Sequence, residues 1–124
     1  MKIAVCAQSN GLEAKVDNRF GRCNTYVLVD TEKNTVTNIN NEAKDQASGA
    51  GGQAVRLLNT HNVDVIICPE LGPKAIKALY AFEIQAYAMD NSETVGQAID
   101  AFITGKLALS ENASVQAHSG LRKA

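Results

Sequence analysis

The sequence predicts an α/β domain built on a mixed five-stranded sheet, and three observations support that prediction. Short apolar segments suited to strands occur at five places along the 124-residue chain. The last three of these segments are separated by stretches whose apolar residues recur at helical spacing. The second and third are joined by a four-residue polar turn, as in a β-hairpin. With 45% hydrophobic and 20% charged residues, the chain has the composition of one ordinary globular domain.

The first three strands are predicted near the start of the chain. Residues 3–7 form a short apolar run that is typical of a buried central strand. Thr25–Asp30 and Thr35–Asn40 are rich in β-branched and aromatic residues and predict a hairpin. The second arm alternates poorly, because Val36 and Ile39 have opposite parity. This favours an edge strand that contains a bulge.

The rest of the chain alternates between predicted helices and strands. The first helix follows Ser48 and several glycines and has its apolar residues within 50–58, and an apolar run over 63–68 predicts the fourth strand. A second helix follows Gly72 and Pro73, a fifth strand covers 84–89, and a third helix covers 95–103 and ends near Gly105. We expect a single domain over residues 1–107 and a flexible tail over 108–124.

These elements predict the sheet order 3-2-1-4-5. Strands three, four and five are joined by helices and should be parallel through right-handed crossovers, whereas the hairpin makes the second strand antiparallel to its neighbours. The carboxyl ends of strands one, three, four and five then share one edge, together with the amino termini of all three helices. Ligands of open α/β sheets bind at this edge, and helix amino termini favour negative charge. The sequence therefore predicts an anion-binding site there.

Two segments at the predicted edge carry candidate ligand-binding residues. Arg19 and Arg22 flank a glycine, and their guanidinium groups either bind an anion or pair with Asp17 or Glu13. Gly51 and Gly52 open the first helix, where glycine is unfavourable, so they indicate either close backbone approach to a ligand or a flexible loop. The segment lacks the Gly-Lys-Ser/Thr of a nucleotide-binding loop.

The three cysteines and a histidine are candidates for metal or thiol chemistry. Cys68 precedes a helix amino terminus, which would lower its pKa and favour a thiolate, although a buried and inert thiol is the alternative. We expect Cys6 to be inert within the first strand and Cys23 to lie near the edge. His118 falls in the predicted tail, as a solvated residue or as one that folds over the site. The odd number of cysteines argues against a disulfide framework.

Charge and hydropathy exclude several classes of partner. The formal net charge is -1, so no general positive field would attract nucleic acid or an anionic membrane surface. No apolar run approaches the ~20 residues that cross a bilayer, and no signal sequence is evident. We expect a cytoplasmic protein that binds neither nucleic acid nor membrane.

Several motifs together resemble a known family. They are Ser9-Asn10-Gly11-Leu12, Val16-Asp17-x-Arg19-Phe20-Gly21-Arg22-Cys23, Val29-Asp30, Gly49-Ala50-Gly51, Leu71-Gly72-Pro73-Lys74-Ala75 and Gly105-Lys106-Leu107. In this order they resemble the dinitrogenase iron-molybdenum cofactor biosynthesis family, which includes nitrogenase cofactor carriers and molybdenum-copper orange proteins. The resemblance covers roughly residues 1–107.

The resemblance implies a ribonuclease H-like fold and a non-catalytic role, namely binding or carrying a metal-sulfur cluster that contains molybdenum, iron or copper, or its precursor. A protein partner in cluster delivery is expected, and the chain itself would be a monomer or homodimer. The expected cluster-binding residues are Ser9, Asn10, Arg19, Arg22, Gly51, Gly52 and Gly72, with Cys23, Cys68 and His118 as candidate metal ligands. Two alternatives remain, a thiol-based redox protein that uses Cys68 and a cofactor-free interaction module that pairs through its edge strand.

Overall fold

The computed structural model describes residues 1–46 and 49–110, and within them it shows a mixed five-stranded sheet with three α-helices. The strands are β1 (Lys2–Ala7), β2 (Thr25–Asp30), β3 (Thr35–Asn40), β4 (Val65–Cys68) and β5 (Gln85–Ala88), and the helices are α1 (Ala50–Thr60), α2 (Pro73–Ala81) and α3 (Val95–Ile103). The sheet order is β3-β2-β1-β4-β5, which confirms the predicted order. As predicted, β2 is antiparallel to both neighbours, and β4 is parallel to β1 and β5.

The bulge predicted in β3 was wrong. The β2–β3 ladder runs without interruption from the Thr25–Asn40 pair to the Asp30–Thr35 pair. Ile39 is buried, whereas Val36 is 42% exposed. Their opposite parity therefore places one side chain against the core and the other in solvent, and the strand needs no extra residue to accommodate both. β3 forms one edge of the sheet.

The core lies around the central strands β1 and β4. Their side chains are buried on both faces, which explains why these strands read as continuous apolar runs in the sequence. Ile3, Val5, Ile66 and Ile67 have no exposed surface. Helix α1 contacts helix α2, and helix α3 contacts the central strand β1. No helix in the described ranges is long and apolar enough to span a membrane.

Two short elements extend the predicted architecture. A 3₁₀ helix, Glu42–Asp45, occupies the polar connection between β3 and α1. At the other end, Leu109 forms a bridge with Tyr87, and the N–H of Ser110 donates to the carbonyl of Ala86 at 2.7 Å. The first residues of the predicted tail therefore pair with the outer edge of β5. Ser48 and His118 lie outside the described residues.

Candidate functional site

A polar pocket opens where β1 and β3 end and β2 begins. Its volume is about 350 Å³, and it is lined by two loop residues after β1, four asparagines, a threonine and a lysine. We call it the amide pocket, and its lining residues are Gln8, Ser9, Asn10, Asn24, Thr25, Asn38, Asn40 and Lys44. The carboxyl edge predicted from the topology thus carries a pocket, and two of the predicted ligand-binding residues, Ser9 and Asn10, line it.

Hydrogen bonds fix the orientation of several lining side chains. The amide nitrogen of Asn24 donates to the carbonyl of Gln8 at 3.0 Å, and Lys44 Nζ donates to Asn24 Oδ1 at 3.3 Å. Asn38 Oδ1 accepts the backbone N–H of Gly11 at 2.9 Å. Because its oxygen is engaged in this way, the NH₂ group of Asn38 is left to donate. The pocket wall therefore presents the NH₂ group of Asn38 to a ligand.

Two cations lie at the amide pocket. Lys44 is the single charged residue among those that line it. Arg22 Nη1 donates to the backbone carbonyl of Lys44 at 2.9 Å, which holds the guanidinium group beside the pocket. Within residues 1–46 and 49–110, neither cation has a carboxylate within 4.0 Å. Their charges are therefore available to an anion.

Arg19, the other predicted anion ligand, pairs with a carboxylate. Its Nε and Nη2 donate to the two oxygens of Asp17, each at 3.0 Å, and its backbone N–H donates to Asp17 Oδ1 at 2.9 Å. The Asp17 side chain is only 5% exposed. The hydrogen bonds to Asp17 raise the pKa of Arg19. This is the pairing that the sequence offered as the alternative, and it neutralises most of the charge of Arg19 locally.

The amino terminus of α1 is one of the two α-helix starts in the described residues without a side-chain cap. It follows Gly49, whose φ of 74° lies in the left-handed region, and no side chain caps it. Gly51 and Gly52 lie in its first turn, where N–H groups have no partner within the helix. A Cβ atom on Gly21 would lie 3.0 Å from the backbone nitrogen of Gly51, so the loop carrying Arg22 packs directly on this turn.

The amino terminus of α3 differs from that of α1, whereas the amino terminus of α2 resembles it. At α3 the side chain of Thr94 accepts from the N–H of Gln97, and the N–H groups of Val95 and Gly96 donate to carbonyls of the loop after β1. These donors are therefore unavailable to an anion, so α3 adds no anion-binding terminus to those predicted near Gly51 and Gly72. Gly72 precedes α2 and is exposed and without a side-chain cap. Like Gly51 and Gly52, it does not line the amide pocket.

All three cysteines are free and have no exposed surface. Cys23 follows the loop at the carboxyl edge, as predicted, but its side chain points into the core. There a hydrogen bond from Cys6 lowers the pKa of Cys23, while burial raises the pKa of Cys6 well above its usual value. Burial also raises the pKa of Cys68 to about 12. The prediction that α2 activates Cys68 was therefore wrong, because loss of hydration outweighs the helix dipole at this sulfur.

Asn41, which no sequence pattern singled out, holds the edge loops together. Its side chain is fully buried, and its NH₂ group donates to the carbonyls of Gly21 at 3.0 Å and Cys23 at 2.8 Å. Its Oδ1 accepts from the N–H of Ala43 at 3.1 Å and so caps the 3₁₀ helix. An asparagine directly before a polar turn is a recognised capping signal, but its tertiary contacts have no signature in the sequence.

Of the four lining asparagines, Asn10 was predicted and the other three were missed, although the sequence carries a signal for them. Asn38 and Asn40 are two residues apart on an edge strand and so share one face, and Asn24 immediately precedes β2. Polar residues at adjoining strand ends predict a polar site at that edge. No group of three His, Cys, Asp or Glu side chains in the described part of the chain is arranged to hold a metal ion. Of the predicted metal ligands, Cys23 and Cys68 are buried and His118 lies outside the described residues.

Comparison with known proteins identifies the protein family to which the chain belongs. Residues 1–105 match the family model described as dinitrogenase iron-molybdenum cofactor, and the chain belongs to that family. An uncharacterized protein of Methanocaldococcus jannaschii is 31% identical over 110 residues, which cover 86% of this chain and 89% of the relative.

Two solved structures share both fold and sequence similarity with the chain. The apo form of the orange protein from Desulfovibrio gigas is 32% identical with a TM-score of 0.84, over 90% of this chain and 93% of the other. A NifB-like protein from Thermotoga of the DUF35 family is 30% identical with a TM-score of 0.76, over 87% of this chain and 91% of the other. The family and these neighbours indicate a role in metal-cluster binding or cofactor assembly.

Proposed function

We propose that this protein binds an anionic metal-sulfur cluster, or a thiometallate precursor of one, in the amide pocket and carries it without catalysing a reaction. The observation that carries the proposal is the coincidence of a pocket lined by five side-chain amides with two cations, Lys44 and Arg22, that lack carboxylate partners in the described residues. Membership of the dinitrogenase iron-molybdenum cofactor family supports a cluster as the anion.

The chemistry of the pocket suits a sulfide-rich anion. Such an anion spreads its negative charge over several sulfur atoms, and it is best held by several distributed donors rather than by one strong ion pair. Asn38 offers its free NH₂ group, Lys44 and Arg22 supply charge, and charge-assisted hydrogen bonds are the stronger kind. The volume of about 350 Å³ lies within the range of small-molecule sites, about 300–1,000 Å³.

The remaining predicted residues either offer backbone N–H groups near the pocket or hold the loop that carries Arg22. Gly51 and Gly52 offer backbone N–H groups at the amino terminus of α1, against which the Arg22 loop packs. Gly72 offers a second uncapped helix terminus, at α2. Arg19 holds the same loop through Asp17 rather than supplying free charge.

In this proposal the protein holds the cluster without covalent bonds to its side chains. Cys23 and Cys68 have no exposed surface, so either sulfur would reach a cluster in the pocket only if the surrounding loops opened. His118 is a candidate ligand from the C-terminal segment, which His118→Ala tests directly. A carrier of this kind delivers its cluster to a protein partner, and non-covalent binding favours such release.

Anaerobic reconstitution tests the proposal. Apo protein is incubated with tetrathiomolybdate, alone and with copper or iron, then desalted and analysed for molybdenum, copper, iron and sulfide and for visible charge-transfer absorption. The decisive variant is Asn38→Asp, which has the same shape and can still accept from Gly11 but places a carboxylate at the pocket. Asn59→Asp, at an exposed position of α1, is the matched control.

The two variants distinguish a carboxylate placed at the amide pocket from one placed elsewhere on the surface. We expect stoichiometric metal and sulfide in the wild type and in Asn59→Asp, and at least a tenfold weaker uptake, about 1.4 kcal/mol, in Asn38→Asp. Equal uptake by both variants would remove the amide pocket as the site. A wild-type protein that takes up no cluster under any of these conditions would contradict the function itself.

A further inference from the structure

Asn10, in the loop after β1, precedes the residue type that makes an asparagine side chain most reactive. It is the single asparagine of the 124-residue chain that is followed by glycine. The backbone nitrogen of the next residue can attack the side-chain amide carbon of an asparagine, and glycine has no side chain to obstruct the attack. Asn10 is exposed, and a Cβ atom on Gly11 would meet no atom within 4 Å. The surroundings therefore leave room for a cyclic imide and for water.

Hydrogen bonds hold the loop that contains this pair. The carbonyl of Gly11 accepts from the N–H of Ala14 at 3.2 Å, and the carbonyl of Leu12 accepts from the N–H of Gly96 at 2.8 Å. Neither bond engages the Gly11 nitrogen, which is the atom that would attack Asn10. That nitrogen has a different partner, because its N–H donates to Asn38 Oδ1 at 2.9 Å.

The bond to Asn38 governs the attack, because the Gly11 nitrogen must lose its proton before it can act as a nucleophile. A backbone N–H held in a hydrogen bond is protected from proton loss, as it is in hydrogen exchange. The bond is exposed and joins the loop to the edge strand β3. Opening it requires local motion of the loop and not unfolding of the sheet.

We propose that Asn10 is a site of spontaneous deamidation and that Asn38 sets its rate by holding the Gly11 nitrogen. This nitrogen loses its proton and forms a bond to Cγ of Asn10, the bond from Cγ to the side-chain nitrogen breaks, and ammonia leaves with the proton. Water then opens the cyclic imide at either carbonyl and yields aspartate or isoaspartate. No electron is transferred, and the co-reactant is water. The modification itself does not rest on the proposed cluster function.

Both products place a negative charge at the amide pocket, because Asn10 is one of its lining residues. The new carboxylate would offset the charges of Lys44 and Arg22 and repel an anion. Protein whose pocket stays empty would therefore lose anion binding as it ages. This consequence, unlike the modification, rests on the proposed function.

The test is incubation of purified apo protein at mildly alkaline pH, followed by peptide mass spectrometry at each asparagine and by enzymatic methylation of isoaspartate. In the wild type, Asn10 should deamidate faster than Asn18 and Asn91, which are also exposed but precede larger residues. Asn38→Ala should raise the rate at Asn10 about fivefold, the factor that one hydrogen bond contributes. Asn40→Ala, on the same face of β3, is the matched control and should leave that rate unchanged.

Three results would overturn the proposal. They are a rate at Asn10 no higher than at Asn18 and Asn91, equal rates at Asn10 in the wild type and a folded Asn38→Ala variant, and unprotected hydrogen exchange of the Gly11 N–H. The exchange measurement uses the wild type alone, so it decides the role of Asn38 even if the variant does not fold.

Tetrathiomolybdate uptake separates the consequence from the proposed function. Deamidated protein, isolated by anion exchange, should bind about twofold to fivefold more weakly than fresh protein, as exposed charges do. Fresh and aged Asn10→Gln should not differ from one another, because glutamine cyclises far more slowly. Equal binding by deamidated and fresh wild type would overturn the loss of binding with age. Normal deamidation in a fresh protein that takes up no thiometallate would contradict the proposed function alone.

Discussion

Replacing Asn41 by alanine should destabilise the protein strongly, although the residue lies outside the central strands. The substitution removes two hydrogen bonds to carbonyls, at 3.0 and 2.8 Å, and one from a backbone N–H, at 3.1 Å. Each is worth about 1 kcal/mol net, and a buried group left without a partner costs up to about 3 kcal/mol. The carbonyl of Cys23 lies in a buried bond, whereas that of Gly21 lies in a part-buried one. We therefore expect a loss of about 3–4 kcal/mol.

Urea denaturation followed by circular dichroism measures this loss as a lower midpoint at unchanged slope. Asn59→Ala, at an exposed position of α1, is the matched control and should change stability by no more than about 0.5 kcal/mol. Asn41→Asp should not rescue the protein near neutral pH, because it keeps the acceptor for Ala43 but turns a second oxygen toward two carbonyl oxygens. A loss below about 1 kcal/mol for Asn41→Ala, or stability restored by Asn41→Asp, would refute this reasoning.

Four further predictions follow from the same region. Gly21→Ala places a Cβ atom 3.0 Å from the Gly51 nitrogen, and it should lower the free energy of unfolding in urea by about 1–3 kcal/mol. In Gly52→Ala the new Cβ atom meets no atom within 4 Å, so this variant should be neutral or more stable by up to about 1 kcal/mol. Equal effects of the two would contradict this packing. Arg19→Ala leaves the buried carboxylate of Asp17 without its side-chain partner, and a lower urea midpoint is expected in the same assay. Iodoacetamide at pH 8 should leave Cys68 unmodified in the folded protein, because its pKa is raised to about 12; rapid native labelling, detected by mass spectrometry, would be the opposite result.

The sheet was predictable because its determinants are local and periodic. Buried central strands read as apolar runs, helices repeat at 3.6 residues, and the hairpin together with right-handed crossovers leaves few possible strand orders. β3 shows where periodicity is ambiguous: the opposite parity of Val36 and Ile39 suggested a bulge, but an edge strand can expose an apolar side chain at modest cost.

The candidate site was only partly predictable, because it depends on which partner each side chain finds. The sequence placed Arg19 and Arg22 together, but only the fold shows that Asp17 takes one and leaves the other beside Lys44. Similarly, Cys23 turns into the core, where its thiol donates to the Phe20 carbonyl at 3.6 Å and its sulfur lies 3.9 Å from Asn41 Nδ2. Contacts between loops leave no periodic pattern, so they are the part that sequence reasoning misses.

The most direct test of the central claim is an anaerobic titration of apo protein with tetrathiomolybdate, comparing the wild type with the Arg22→Ala/Lys44→Ala double variant. Lys33→Ala, in the turn at the other end of the β2–β3 hairpin, is the control for loss of a surface charge. Hydrogen bonds to charged groups contribute about 1.5–3 kcal/mol each, so the double variant should bind at least about a hundredfold more weakly. Lys33→Ala should bind like the wild type. Equal affinity of the double variant and the wild type would contradict the assignment of the anion to this edge of the sheet.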